Sequence, residues 1–194
     1  MCSSDLVQGT SGTTGKLTVV PYTRHDVDVW AESAGRCLTM AGLTKEDIIH
    51  VCYGYGLFTG GLGADFAAQR IGAMVVPMSA GNTARQIMCM EDFGATALAC
   101  TPSYALYLAE SIAEAGKVDA MKLRVGIHGA EPWTEEMRKK IQDILHIECF
   151  DIYGLCEITG PCVAMDCRQH KGLHINHDFF YPEILDPITH EPMD

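Results

Sequence analysis

Two runs, Leu123-Arg-Val-Gly-Ile-His128 and Ile147-Glu-Cys-Phe-Asp-Ile-Tyr153, decide the fold through what separates them. Both read as strands, and between them Thr134, a good N-cap residue, opens an amphipathic helix to about Leu145. Their apolar residues are nearly continuous rather than alternating, so both faces of each strand are expected to be buried, as in a parallel sheet covered by helices. The same unit recurs toward the amino end. The strand Thr96 to Cys100 leads into a helix opened by Thr101-Pro102 and ending near Gly116, with proline in its first turn. Ala73 to Pro77 leads into a helix over Thr83 to Asp92. Asp47 to Tyr53 leads through the turn Gly54-Tyr-Gly-Leu-Phe-Thr-Gly-Gly-Leu-Gly63 into a helix ending near Ile71. Leu17 to Tyr22 precedes a helix capped by Thr23 and running to about Ala41. The expected fold class is therefore α/β, a mainly parallel sheet with helices on both faces. Beyond Gly160-Pro161 the pattern changes to short strands, Cys162 to Asp166, Gly172 to Asn176 and Phe180 to Leu185, separated by polar turns. Residues 9–160 thus form the expected α/β unit and 161–194 an antiparallel edge or the start of a β-rich subdomain. Residues 1–8 carry no helical or strand period and are expected to be a frayed start or a truncation scar.

Composition narrows the function. Across 194 residues, 47% apolar and 20% charged side chains exclude a disordered tail, a collagen-like repeat and a coiled coil. No apolar run approaches the roughly 18 residues of a membrane-spanning helix, and no basic-then-apolar leader opens the chain. Lys plus Arg is 14 against 25 Asp plus Glu, a net charge of −11. That acidity argues against general nucleic-acid or membrane-surface partners, which need a basic footprint. A phosphate ligand must then be held locally, by backbone dipoles and hydroxyls. The nine cysteines are odd in number and irregularly spaced, and several lie in apolar strands such as Ile49-His-Val-Cys52. They read as small core residues in a reducing, cytoplasmic compartment.

Gly9-Thr-Ser-Gly-Thr-Thr-Gly-Lys16 is the sharpest local signal. Its glycines permit positive φ, so that successive N–H groups can point into one concavity, and its hydroxyls and Lys16 add donors and a cation. This is equipment for a polyphosphate. It is not a Walker A loop, which needs Gly at Thr10, Ser or Thr at Leu17, and a following helix rather than a strand. A flexible Gly/Ser/Thr loop is the alternative reading of the same composition. Glu157 stands at a strand end, where it is either a ligand or a solvated turn carboxylate. Tyr53, Tyr55 and Phe58 gather among glycines in a loop, where large aromatics have little packing reason to meet, so Tyr53 and Phe58 are candidate walls of an aryl-acid pocket. Trp133 reads as a helix-start staple. Cys162, Cys167, His170, His174 and His177 lie within sixteen residues. Cys167 and His174 are the best candidates there for zinc, the alternative being a core cysteine with exposed turn histidines.

The glycine-threonine segment resembles the phosphate loop of the adenylate-forming, acyl-activating enzyme superfamily. Tyr53 to Gly63, Gly129-Ala-Glu-Pro-Trp-Thr134, Asp151-Ile-Tyr-Gly-Leu-Cys-Glu157 and Phe180-Tyr-Pro-Glu-Ile184 resemble phenylacetate–coenzyme A ligases in order and spacing, from about residue 9 to the end. The resemblance implies that an aryl acid, phenylacetate by default, attacks the α-phosphate of ATP to give an acyl-adenylate, from which coenzyme A then displaces AMP. It places Ser11, Gly12, Thr13, Thr14, Gly15 and Lys16 on the β- and γ-phosphates, and Glu157 on Mg2+, with Lys16 and Glu157 the catalytic pair. It puts Tyr153, with Asp151 and Gly154 beside it, against adenine, and Gly129, Ala130, Glu131 and Pro132 along another wall, Gly129 also touching the acid. Cys156 departs from the Ser or Thr usual in the family, and Leu17 from a frequent proline. The resemblance further implies a homodimer, and a C-terminal lysine domain that these 194 residues do not contain, so that this chain alone is expected not to complete thioester synthesis. A nucleotide-binding module without turnover and a zinc-stabilised α/β module are the other readings.

Overall fold

A computed structural model describes residues 5–10 and 15–193. Its main sheet has seven strands, β3 (Ile48–Val51), β4 (Met74–Val76), β5 (Ala97–Cys100), β6 (Val125–Gly129), β7 (Glu148–Leu155), β8 (Gly160–Asp166) and β9 (Leu173–Ile175). Their order across the sheet is β4-β3-β5-β6-β7-β8-β9. The first five pair in parallel, and β8 and β9 are added antiparallel at one edge. The expected α/β class and the antiparallel C-terminal edge both stand.

Five helices cover the sheet: α1 (Arg24–Met40), α2 (Thr59–Ile71), α3 (Thr83–Phe93), α4 (Pro102–Glu114) and α5 (Glu135–Leu145). Alternate residues of one strand enter different cores, which is why the strands read as continuous apolar runs. Ala97 and Ala99 of β5 join Trp30, Leu38, Ile127 and Phe150 under α1 and α2. Leu98 and Cys100 of the same strand join Leu108, Ile112 and Ile141 under α3, α4 and α5. The helix starts expected from caps hold: Thr23 and Asp26 form a reciprocal capping box on α1, and the Thr134 hydroxyl accepts from the Met137 N–H on α5.

Three local expectations are corrected. Residues 6–8 are not frayed: β1 (Leu6–Gly9) pairs antiparallel with β2 (Val19–Tyr22), and Gln8 is buried, an order supplied by the partner strand rather than by any local period. The glycine-rich turn ends at Phe58, the N-cap of α2, and Gly60, Gly61 and Gly63 lie inside the helix. Helix propensity is overridden there by contact, since a Cβ at Gly61 would meet the Gly54 carbonyl oxygen at 2.8 Å. Phe180 to Leu185 forms no strand. That segment makes only an isolated bridge, Leu185 to Pro192, and Tyr181 and Ile184 are exposed, so no neighbouring ladder holds it.

The two-stranded β1–β2 unit positions the glycine-threonine segment, which is its connection. Tyr22, at the end of β2, stacks on the fully buried Trp30 of α1 with centroids 5.5 Å apart, and Trp30 meets Phe66 of α2 edge-on at 5.4 Å. The hairpin is thereby fixed to the helix pair beside the carboxyl ends of the parallel strands.

Candidate active site

A cleft of about 370 Å³ opens at the carboxyl ends of β3, β6 and β7, where ligands bind in open α/β sheets. Each wall has a local cause. Thr10 enters from the hairpin, whose mouth is closed by Thr10 N–H to Thr18 O (3.1 Å) and Thr18 N–H to the Thr10 hydroxyl (3.2 Å). Gly9 N–H also donates to Leu57 O at 2.8 Å, tying the hairpin to the segment after β3. That segment supplies Tyr53, Gly54 and Phe58, and the start of α2 supplies Thr59 and Gly60. Tyr53 is buried, and burial holds its phenol well above its usual pKa, so it stays protonated. Gly60 keeps α2 close: a Cβ there would stand 3.2 Å from the Tyr53 ring.

Ala130, immediately after β6, faces the cleft with φ 72°, a left-handed conformation that costs a non-glycine residue energy and marks a constrained wall. The last wall is the end of β7 and its return: Ile152, Gly154, Leu155, Cys156, Glu157 and Pro161. Cys156–Ile158 make one 3-10 turn, and Thr159 and Gly160 reverse the chain with φ of 78° and 100°. The reversal is so tight that a Cβ on Gly154 would sit 2.0 Å from the Gly160 carbonyl oxygen. Glu157 is thus presented, exposed, on the tip of a rigid hairpin.

The tip and the β1–β2 unit are joined directly. The Tyr22 hydroxyl donates to Cys156 O at 2.8 Å, and burial, with the nearby Cys156, Asp26 and Glu157, pushes its pKa up to about 12, which keeps it a donor. The Cys156 thiol lies 3.5 Å from the Thr59 hydroxyl, so the cysteine at this position keeps a polar neighbour, though a weak one. Glu157 and Thr10 therefore line one cleft and are tied to it from both sides.

The other expected residues divide. Ser11, Gly12, Thr13 and Thr14 lie outside the described residues. Gly15 has φ 91° and Lys16 is exposed, both beside the hairpin mouth. Tyr53, Phe58, Ala130, Gly154 and Glu157 come together in the cleft, whereas Gly129, Glu131, Pro132, Asp151 and Tyr153 stand behind or beside its lining. Gly129 is held against the next strand, since a Cβ there would meet Ile152 O at 2.3 Å. Glu131 accepts the Ser103 N–H at 2.7 Å and so caps α4. Asp151 donates its N–H to Asp166 (2.9 Å), and burial, reinforced by the Asp166 carboxylate, raises its side-chain pKa. Tyr153 points to the opposite side of β7 from Ile152 and is half-exposed. Trp133 is the staple expected, in an unusual form: it precedes the N-cap Thr134, and its ring lies 4.6 Å under the Arg138 guanidinium, four residues into the helix.

The zinc expectation fails on geometry. Among the described residues no group of three or more His, Cys, Asp or Glu side chains could hold a metal. Cys162 turns into the core, where its carbonyl accepts from Asn176 (3.0 Å), and His170 is taken by Asp166 at 2.8 Å. Cys167 and His174 border a surface hollow without further ligands. Sequence reasoning in turn missed Thr10, Thr59, Ile152, Leu155 and Pro161. Thr10 was legible as part of the glycine-threonine segment; the others carry no local signal.

Comparison with known proteins fits this geometry. A family model described as "AMP-binding enzyme" matches residues 6–176. Phenylacetate-coenzyme A ligase of Pseudomonas putida is 52% identical over 188 residues, 95% of this chain and 43% of the relative. The ligase of the same name from Escherichia coli (strain K12) is 50% identical, over 96% of this chain and 44% of the relative. The chain thus spans less than half the length of the curated relatives it matches. A crystal structure of 2-hydroxyisobutyryl-CoA ligase in complex with 2-HIB-AMP and CoA superimposes with a TM-score of 0.88 at 27% identity, covering 95% of this chain and 40% of that one.

Proposed function

The chain belongs to the AMP-binding enzyme family, and we propose that its cleft activates an aryl carboxylic acid, phenylacetate or a close analogue, for transfer to coenzyme A. In the first step an acid carboxylate oxygen attacks the α-phosphorus of ATP and the bond to pyrophosphate breaks, leaving an acyl-adenylate. In the second the coenzyme A sulfur attacks the acyl carbon, AMP departs, and the thiol proton passes to solvent. A carboxylate is a poor acyl donor, and the mixed anhydride converts it to a good one. The observation that carries this reading is the meeting of Glu157 with the hairpin that bears the glycine-threonine segment, in one cleft at the carboxyl ends of the strands.

The residues fall to roles by chemistry. Backbone N–H groups and hydroxyls of residues 11–15, with Lys16, hold the β- and γ-phosphates of an otherwise acidic protein. Tyr53 and Phe58 form the apolar wall for the aryl ring, and Ala130 frames adenine; Tyr153, on the other face of β7 from the cleft-lining Ile152, does not share that wall. Glu157 fits a magnesium ion: its carboxylate is exposed on the hairpin tip and makes no ion pair among the described residues. One such oxygen ligand suffices where phosphates and waters complete the shell. Bound there, magnesium supplies neutralisation of the charge that builds on the phosphates. No described helix is long and apolar enough to cross a membrane, and the reading places the reaction in the cytoplasm.

The test is ATP–pyrophosphate exchange by the full-length protein, screened across aryl and short-chain acids. Phenylacetate-class acids are expected to support exchange. Glu157→Gln is expected to lower it by about a hundredfold or more, while the thermal midpoint moves by no more than about 2 °C, because the side chain is exposed. Exchange that survives this change removes Glu157 as the metal ligand, and no exchange with any acid removes the ligase reading.

A further inference from the structure

The connection between β4 and α3 is strained and yet well held. Ser79, Gly81 and Asn82 all have positive φ (64°, 89° and 51°), two of them non-glycine, within four residues. Asn82 is held as the N-cap of α3, its side chain accepting the Arg85 N–H, and one further side chain ties Ser79 and Gly81 together. Gln86 of α3 is fully buried, and its amide NH2 donates to Ser79 O at 2.6 Å and to Gly81 O at 3.0 Å. Those two carbonyls fix the amide's orientation, so its oxygen is the acceptor on the other side, 2.6 Å from His50 Nε2 and 3.3 Å from the Cys52 thiol, both on or just after β3. His50 is accordingly protonated on Nε2 and neutral. All four hydrogen-bonding positions of the amide are filled, and a filled buried network specifies one arrangement of the chains it joins.

The chains it joins lead to the cleft. Ser79 N–H donates to Val51 O (3.1 Å), and the Ser79 hydroxyl accepts the Tyr55 N–H (3.4 Å). Residues 53–58, which carry both aromatic walls, are therefore braced from behind by residues 79–81. A hollow of about 160 Å³ is lined by Ala80, Gly81 and Tyr104 on one side and by Tyr53 and Gly54 on the other. On the nucleotide side of the cleft, Thr10, Ala130 and Glu157 make no hydrogen bond to Gln86 or to residues 79–81; the hairpin meets the braced segment through Gly9 N–H to Leu57 O.

We propose that Gln86 is the positioning residue for the acid-binding wall, acting through Ser79 on Tyr53 to Phe58, and that it governs affinity for the acid but not for ATP. The proposal rests on the assignment of Tyr53 and Phe58 to the acid. Gln86→Met keeps the volume and removes both donors and the acceptor, whereas Gln86→Glu keeps the acceptor for His50 but aims a carboxylate oxygen at two carbonyls. In the full-length protein both variants are expected to raise the KM for the acid tenfold or more, the loss set by the part-buried Ser79 and Gly81 carbonyls left without their donor, with the KM for ATP within twofold of wild type. Amide hydrogen exchange over 53–58 and 79–82 is expected to speed up in both, while β6 and α5 keep their protection. A rise in both KM values together, or unchanged exchange over 53–58, overturns the proposal, and a variant too unstable to assay for one measurement is judged by the other variant. The exchange measurement needs no substrate. Absence of turnover in the wild type therefore counts against the ligase reading, and the brace is decided separately by the exchange rates.

Discussion

Substituting alanine for Gly63 tests whether the helix pair, and not the glycine-rich sequence, sets the shape of the cleft. On propensity alone the change should help, because alanine is about 1 kcal/mol better than glycine in a helix interior. The surroundings reverse the sign. A Cβ at Gly63 would stand 2.4 Å from Pro161 Cγ, 3.0 Å from Pro161 Cδ and 2.9 Å from Trp30 Cζ2. Neither ring can give way: Trp30 is fully buried between Tyr22 and Phe66, and Pro161 is pinned by the approach of Gly154. Overpacking of a rigid core costs about 1–3 kcal/mol, and the tightness of these contacts puts this site at the upper end. The net expectation is destabilisation by about 1–2 kcal/mol, a fall of roughly 2–8 °C in thermal midpoint for a domain of this size. Gly35→Ala on α1 is the matched control. Its Cβ would meet Arg70 Cγ at 3.0 Å and Arg70 Cβ at 3.3 Å; the Cγ belongs to a side chain more than half exposed that can swing aside, and the Cβ contact offsets the propensity gain, so Gly35→Ala should change stability by less than about 1 kcal/mol. Urea and thermal unfolding followed by circular dichroism measure both. If Gly63→Ala equals or exceeds the wild type in stability, the contact argument is wrong and α2 tolerates a wider spacing from β8.

Three further outcomes are expected. His128 is fully buried on β6, and burial depresses its pKa to about 4 from the ordinary 6.5; because the folded state favours the neutral ring, the associated stability is complete above about pH 6.5 and is lost as pH falls toward 4, by an amount of the order of 3 kcal/mol. Burial depresses His50 in the same direction; urea midpoints across that window should fall in the wild type and fall less in His128→Gln, and a flat wild-type profile refutes the sign. Arg138→Met should cost about 3–5 kcal/mol, because it leaves the buried Asp166 carboxylate without the guanidinium 2.8 Å away; an unfolding midpoint unchanged from wild type would show that Asp166 is satisfied by His170 and the Asp151 N–H alone. Brief alkylation of the native protein with iodoacetamide, read by peptide mass spectrometry, should modify Cys156 and Cys167 before any of the six buried cysteines among the described residues; early labelling of Cys52 or Cys100 would contradict the packing of the core under α3, α4 and α5.

The β–α succession was legible in the chain because it rests on short-range rules. Thr23 and Thr134 cap their helices and Pro102 opens α4 as their types require, and the doubly buried strands announce themselves as apolar runs. The same local chemistry singled out the glycine-threonine segment, the aromatic loop and Glu157. What the sequence misplaced lies where a distant partner outweighs the local signal. Gly60, Gly61 and Gly63 sit in a helix because other chain segments approach too closely for a side chain, and Leu6 to Gly9 is a strand only because Val19 to Tyr22 lies beside it. The crowded cysteines and histidines near the C-terminus offered zinc or a core cysteine with turn histidines, and the structure holds Cys162 in the core with its carbonyl bonded by Asn176 and pairs His170 with Asp166.

By itself, then, the sequence set out most of the strands and helices and the candidate site residues, since periodicity, capping and residue type act within a turn or two. Only the tertiary structure decided that Thr10 and Glu157, nearly 150 residues apart, share one cleft, and that a buried glutamine on α3 stands behind its aromatic wall. Those relations depend on the parallel strand order and on the Tyr22 and Ser79 hydrogen bonds that cross between elements, and no local pattern encodes a bond to a distant carbonyl.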